Sequence, residues 1–95
     1  MKSVRVIVTG RVQGVWYRAW TCEQATSLGL RGWVRNRYDG CVEAVFCGEP
    51  EDIDRMIDAC RQGPPLARVE NLETTDCAPP EYPADGVAFV TLPTV

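Results

Sequence analysis

Two helical stripes, each set between strand-like segments, leave this chain few ways to fold. Over residues 2–9 apolar side chains alternate, with Val4, Val6 and Val8 on one face and Ser3, Arg5, Ile7 and Thr9 on the other. That period is the mark of a half-buried strand. Residues 17–28 suit a helix with Cys22, Ala25 and Leu28 inward, and Gly29 is placed to end it. Residues 32–38 read as a second strand. Asp39-Gly40 then suits a tight hairpin turn in which both central residues take positive φ. The third strand, 41–47, puts Val42, Ala44 and Phe46 on one face. Pro50 fits the first turn of a second helix, where its missing N–H would be unpaired anyway. Ile53, Met56, Ile57 and Cys60 follow as one helical stripe, stopped by Gly63 and Pro64-Pro65. A strand near 67–74, a loop rich in Pro and Asp, and a last apolar strand at 87–92 complete the chain.

The order is β-α-β-β-α-β with a final C-terminal strand. Hairpin turns pair antiparallel neighbours, whereas helical crossovers join parallel strands with right-handed connections. The expected fold is an α+β, ferredoxin-like α/β sandwich: an antiparallel sheet with two helices on one face and the other face more open. Such a fold hosts many functions, so function has to be argued from a site.

Ninety-five residues without a repeat, low-complexity tract or internal linker predict a single domain over 1–95. The apolar residues near the start are interrupted by Arg5, which makes a poor signal peptide, and no run approaches the ~20 residues of a membrane span. The expectation is a cytoplasmic protein with no membrane partner. Five cysteines with no C-x-x-C pair signal neither zinc site nor redox motif, so buried free thiols are expected. Cys41 and Cys47, six residues apart on one strand, would lie about 20 Å apart, far beyond disulfide reach.

There is no histidine. Ser-His and Cys-His nucleophiles, a His general base and a His metal ligand are excluded, so catalysis would run on arginine, amides, backbone groups or carboxylates. Charge is unevenly spread. Residues 1–38 hold seven basic side chains against Glu23 alone, while the remainder holds three against twelve acids, for a net charge of −3. An acidic whole argues against nucleic acid as partner, and a basic first half is compatible with a site for a small anion.

The segment VTGRVQGVWYR, from Val8 to Arg18, lies where the first strand gives way to the first helix. Gly10 and Gly14 permit backbone angles that would let the chain curl with its N–H groups inward, a nest for an anion. The helix N-terminus would add its own free N–H groups. Arg18 in the first helical turn opposes the helix dipole unless an anion lies between them. No Walker or dinucleotide motif is matched. On these residues alone the segment is either an anion cradle or a plain connecting loop. Asn36 is likewise either a site residue or a polar strand residue, and Gln13 either a ligand or a solvated loop tip. Trp16, Trp20 and Trp33 read as core or pocket wall.

GRVQGVWYR followed by LGLRGWVRNRYDGCVEAVFCG resembles the acylphosphatase family, and the match runs on through ARVENLE to FVTL. The family comprises small α/β sandwich enzymes that hydrolyse the carboxyl–phosphate bond of acyl phosphates. The resemblance implies that Arg18 and Asn36 are catalytic and that Arg11, Val12, Gln13, Gly14, Val15, Trp16 and Tyr17 form the phosphate-binding loop. It also implies a small-molecule acyl phosphate as substrate and inorganic phosphate as product and inhibitor, with no cofactor and no metal. Trp16-Tyr17 and Arg37 depart from the family's more frequent residues at positions that bear on the pocket rim and the local field, not on the chemistry.

An RNA-recognition module shares the element order, yet the first strand here has no aromatic residue to stack bases, and the pI is near 4.8. The expectation is a stand-alone, monomeric enzyme rather than a small-molecule regulatory module or a domain of a larger carbamoyl-phosphate-using maturation protein.

Overall fold

The computed structural model describes residues 1–81 and 88–95. Its elements are β1 (Lys2–Arg11), α1 (Tyr17–Ser27), β2 (Arg31–Asn36), β3 (Val42–Gly48), α2 (Pro50–Gln62), β4 (Arg68–Asp76) and β5 (Phe89–Thr91). One five-stranded sheet has the order β4-β1-β3-β2-β5. Strand β3 lies between β1 and β2, and β1 between β3 and β4, all antiparallel.

The expectation of an antiparallel sheet needs one correction: β5 runs parallel to β2, pairing Gly32 with Phe89 and Val34 with Thr91. No hairpin imposes direction there, because the chain leaves β4 at one edge of the sheet and returns to the other. The last strand is also shorter than 87–92, and Val87 lies outside the described residues.

Alternation in β1 sends Val4, Val6 and Val8 into a core shared with Val34, Val42, Ala44 and Phe46. Helix α1 packs over β2 and β5, and α2 over β4, β1 and β3, with the helices touching each other. In α2 the expected stripe holds: Ile53, Met56 and Cys60 are buried and Ile57 packs at its edge. In α1 the fully buried line is Tyr17, Thr21 and Ala25, one turn apart, while Cys22 and Leu28 are only half-buried beside it. The helix ends where Gly29 was placed: its N–H donates to the Thr26 carbonyl and that of Leu30 to the Ala25 carbonyl, the paired bonds of a Schellman cap.

The opposite face of the sheet is open and carries a buried charge. Glu43, on β3, accepts hydrogen bonds from Nε of Arg5 on β1 and from Nε of Arg35 on β2, the latter at 2.7 Å. Arg37 adds a longer contact at 3.5 Å. Burial alone would raise this carboxyl, but the bonds and charges of Arg35 and Arg5 outweigh it and hold it below the ordinary carboxylate range. Trp33 belongs to this face rather than to the core, with the Arg35 guanidinium 4.6 Å from its ring centroid. All five cysteines are free, but only Cys47 and Cys60 are buried.

The β2–β3 hairpin also differs from expectation. Asp39 does not take a positive φ; only Gly40 does, at 94°. Gly40 N–H donates to the Arg37 carbonyl and Arg37 N–H to the Cys41 carbonyl, so the loop has three residues, not two. Asp39 instead turns Oδ1 onto the Cys41 N–H at 3.0 Å, a bond that lowers its pKa.

Candidate active site

The segment after β1 leaves the sheet through a bulge between Thr9 and Gly10 against β4. Gly10, at φ 129°, belongs to this bulge: a Cβ there would collide with the Arg68 carbonyl. It is therefore a glycine of close approach, not part of an anion nest. Beyond it Val12 and Val15 plug into the core and fasten the loop from below. Between and after them the backbone turns left-handed twice, at Gly14 (φ 74°) and at Trp16 (φ 69°, ψ 15°). A Cβ at Gly14 would meet nothing within 4 Å, so only the dihedral asks for glycine.

Trp16 has no such freedom. Left-handed geometry costs a non-glycine residue about 1–2 kcal/mol, and this one keeps it although its side chain is 77% exposed. Its carbonyl accepts the Trp20 N–H at 2.9 Å, which makes Trp16 the residue that opens α1. No side chain caps that helix and its first turn holds no acid, so its positive end faces outward uncompensated.

Tyr17 and Arg18 begin the helix and diverge. The Tyr17 ring is buried, and its hydroxyl donates to the Cys60 carbonyl of α2 at 2.6 Å. Burial, with Cys60 close by, pushes this phenol far above its ordinary range, which removes it from acid–base chemistry near neutrality. Arg18 is half-buried, lines the cleft, and has no ion pair among the described residues.

Asn36 is the last residue of β2, opposite Val42. Its Oδ1 is buried without a hydrogen-bond partner among the described residues. Such an orphan acceptor costs about 1–3 kcal/mol. It lines the same cleft of about 480 Å³ as Arg18.

Val12, Gln13, Gly14, Trp16, Tyr17, Ala19 and Thr91 complete the lining. The side chains of Arg11 and Val15 lie outside this lining. Arg11 ends β1 exposed and paired with Arg68, and the Val15 side chain points into the core. Ala19 and Thr91 were not anticipated. Thr91 reaches the cleft only because β5 pairs with β2, and its hydroxyl lies 3.3 Å from the Cys22 thiol on α1.

The cleft thus brings together an arginine with no ion pair among the described residues, the uncapped start of α1 and Asn36. Comparison with known proteins gives this a family: the Acylphosphatase profile matches residues 4–86. The chain belongs to the acylphosphatase family. It is 55% identical to the acylphosphatase of Rhodospirillum rubrum over 87% of this chain and 91% of that one. To the acylphosphatase of Rhizorhabdus wittichii it is 52% identical, over 96% and 88%. The solved structure of an acylphosphatase from Coxiella burnetii superimposes with a TM-score of 0.86 at 34% identity, covering 96% and 92%. The acylphosphatase fold and the hydrolysis of acyl phosphates to carboxylate and phosphate follow from this membership.

Proposed function

We propose that Arg18 and the loop of Val12, Gln13, Gly14, Val15, Trp16 and Tyr17 hold the phosphoryl group, and that Asn36 orients the water that attacks it. The observation that carries this reading is that Arg18 and Asn36 line one cleft, with the Asn36 Oδ1 lacking a hydrogen-bond partner among the described residues. Arg18 offers paired N–H donors, a geometry that lysine lacks. Backbone N–H groups of the loop and the free end of α1 receive the other phosphate oxygens. Arg11, outside the cleft, contributes positive field at most.

Asn36 cannot take up a proton at neutral pH. Its Oδ1 accepts one O–H of water, which aims the water's lone pair at phosphorus. The new O–P bond forms as the acyl O–P bond breaks, and the carboxylate departs with the electron pair. That leaving group is the conjugate base of an acid with pKa about 4, so no general acid is required. The proton of the attacking water passes to the phosphate itself. Positioning and charge stabilisation are the whole of the catalytic task.

Because that task is met by arginine and amides, the reaction should proceed without a metal, and benzoyl phosphate should be hydrolysed undiminished in the presence of a chelator. Loss of turnover in chelator, restored by magnesium, would overturn this. Asn36→Ala should lower kcat by about 10²–10³ with inhibition by inorganic phosphate nearly intact. Asn36→Asp should be no better, since its charge repels the phosphate. A variant as active as wild type would mean that residue 36 accepts the proton.

We also infer a monomer working in the cytoplasm. Its five thiols are free, the state a reducing compartment keeps. The open sheet face carries Arg5 and Arg35 paired with Glu43, and charged residues are depleted at the centre of stable interfaces. No helix of the described residues is long and apolar enough to cross a membrane.

A further inference from the structure

Gln13 lies in the proposed phosphate loop, yet its side-chain amide is taken up by the β2–β3 hairpin. Its amide nitrogen donates to the Arg37 carbonyl at 2.7 Å and to the Cys41 carbonyl at 2.9 Å. These two carbonyls already close the hairpin: that of Arg37 receives the Gly40 N–H and that of Cys41 the Arg37 N–H. Each carbonyl has a second lone pair, and one primary amide has two N–H groups. Gln13 fills both, and its anchor on Arg37 is one residue from Asn36. Val12 and Val15 fix the loop's shape from the core side, so this amide is left to set where the loop stands relative to Asn36.

We propose that Gln13 is a positioning residue whose side-chain amide locks the phosphate loop to the β2–β3 hairpin, fixing the distance between bound phosphate and the water held by Asn36. The proposal rests on the roles given above to the loop and to Asn36. It separates two functions of one residue: the backbone N–H belongs to the cradle, and the side chain to the alignment of two segments.

The test compares Gln13→Met, of similar length but without donors, with Gln13→Glu, using benzoyl phosphate as substrate and inorganic phosphate as inhibitor. Assays are run at temperatures where circular dichroism shows each variant folded. A misplacement near 1 Å can cost about 10²-fold, so Gln13→Met should lower kcat by about 10- to 100-fold while phosphate inhibition changes by less than about threefold. In Gln13→Glu an ionised carboxylate faces two carbonyl oxygens and repels them; once protonated, its O–H can donate to one. Its kcat relative to wild type should therefore rise as pH falls.

A Gln13→Met enzyme with wild-type kcat overturns the proposal. So does a loss of phosphate inhibition as large as the loss of kcat, which would make the side chain part of the cradle. A Gln13→Glu to wild-type kcat ratio that is flat with pH, or a recovery confined to KM, also overturns it, the second because it reports charge acting on phosphate. Failure of the underlying reading looks different: Asn36→Ala would then keep wild-type kcat.

Discussion

The 12–16 loop, which lines the cleft, and the 37–41 hairpin, which follows Asn36, meet through the Gln13 side chain, but opposite forces hold them. The loop is anchored by apolar side chains, Val12 and Val15, and keeps the non-glycine Trp16 left-handed against its preference. The hairpin is held by charge and hydrogen bonds: Arg37 reaches Asp39 at 3.3 Å and Glu43 at 3.5 Å, and Asp39 caps the Cys41 N–H. Apolar anchoring is indifferent to pH and salt, whereas ion pairs respond to both. The difference suits the proposed roles. A cradle for a charged ligand must not lend its backbone N–H groups to its own side chains, so packing holds its shape and the Gln13 side chain ties it to the hairpin. A segment that supplies one amide can use polar bonds freely.

The largest break in this comparison comes on the loop side. Arg18→Ala removes the cation at the start of α1 while leaving Val12 and Val15 in place. Turnover of benzoyl phosphate should fall by at least about 10³-fold. Inorganic phosphate, which should raise the melting temperature of wild type as any ligand of the native state does, should no longer do so. Persistence of that thermal shift would mean that the loop holds phosphate without the arginine.

The hairpin side should break through stability and pH. Glu43→Gln leaves Arg5, Arg35 and Arg37 without their common anion, at a cost of about 1–3 kcal/mol because these arginine heads remain partly in water. In a domain of this size each kcal/mol lowers the melting temperature by about 4–8 °C. The sign with pH follows from the lowered carboxyl pKa of Glu43. Its contribution is fully present above the unfolded glutamate pKa of about 4.3 and is lost as pH falls through the lower folded value. The gap in melting temperature between wild type and Glu43→Gln should therefore be constant near neutrality and narrow below about pH 4. A gap that stays constant through acid would assign the loss to packing rather than charge.

The smallest effect sharpens the loop side. Trp16→Gly relieves left-handed strain of about 1–2 kcal/mol but adds about 0.5–1 kcal/mol of unfolded-chain entropy. Little packing is lost, since Trp16 is largely exposed. A net gain of roughly 0.5 kcal/mol is expected by denaturant titration. A clear destabilisation would show that the indole packs against the cleft in solution.

Much of this molecule is legible in short-range pattern. The period of two in 2–9 names Val4, Val6 and Val8 as core, and Pro50 and Gly63 bracket the second helix, because strand faces and helix ends depend on residues a few positions apart. The motif from Val8 to Arg18 marks a segment that goes on to line the cleft, yet pattern gives Gly10 and Gly14 the same meaning. Only the approach of β4 makes the first a glycine of space and the second a glycine of dihedral angle.

What tertiary structure alone decided are the meetings between distant residues. Thr91 lines the cleft because β5 pairs parallel to β2, a choice that no local turn makes. Gln13 finds its acceptors 24 and 28 residues away, and Glu43 gathers Arg5 from 38 positions upstream. No local pattern encodes such pairs, because a side chain's hydrogen-bonding partner is chosen by sheet register and loop placement, and those exist only once the strands are aligned. Arg18 and Asn36 stand out along the chain through the family resemblance; that they line one cleft is decided only by the tertiary structure.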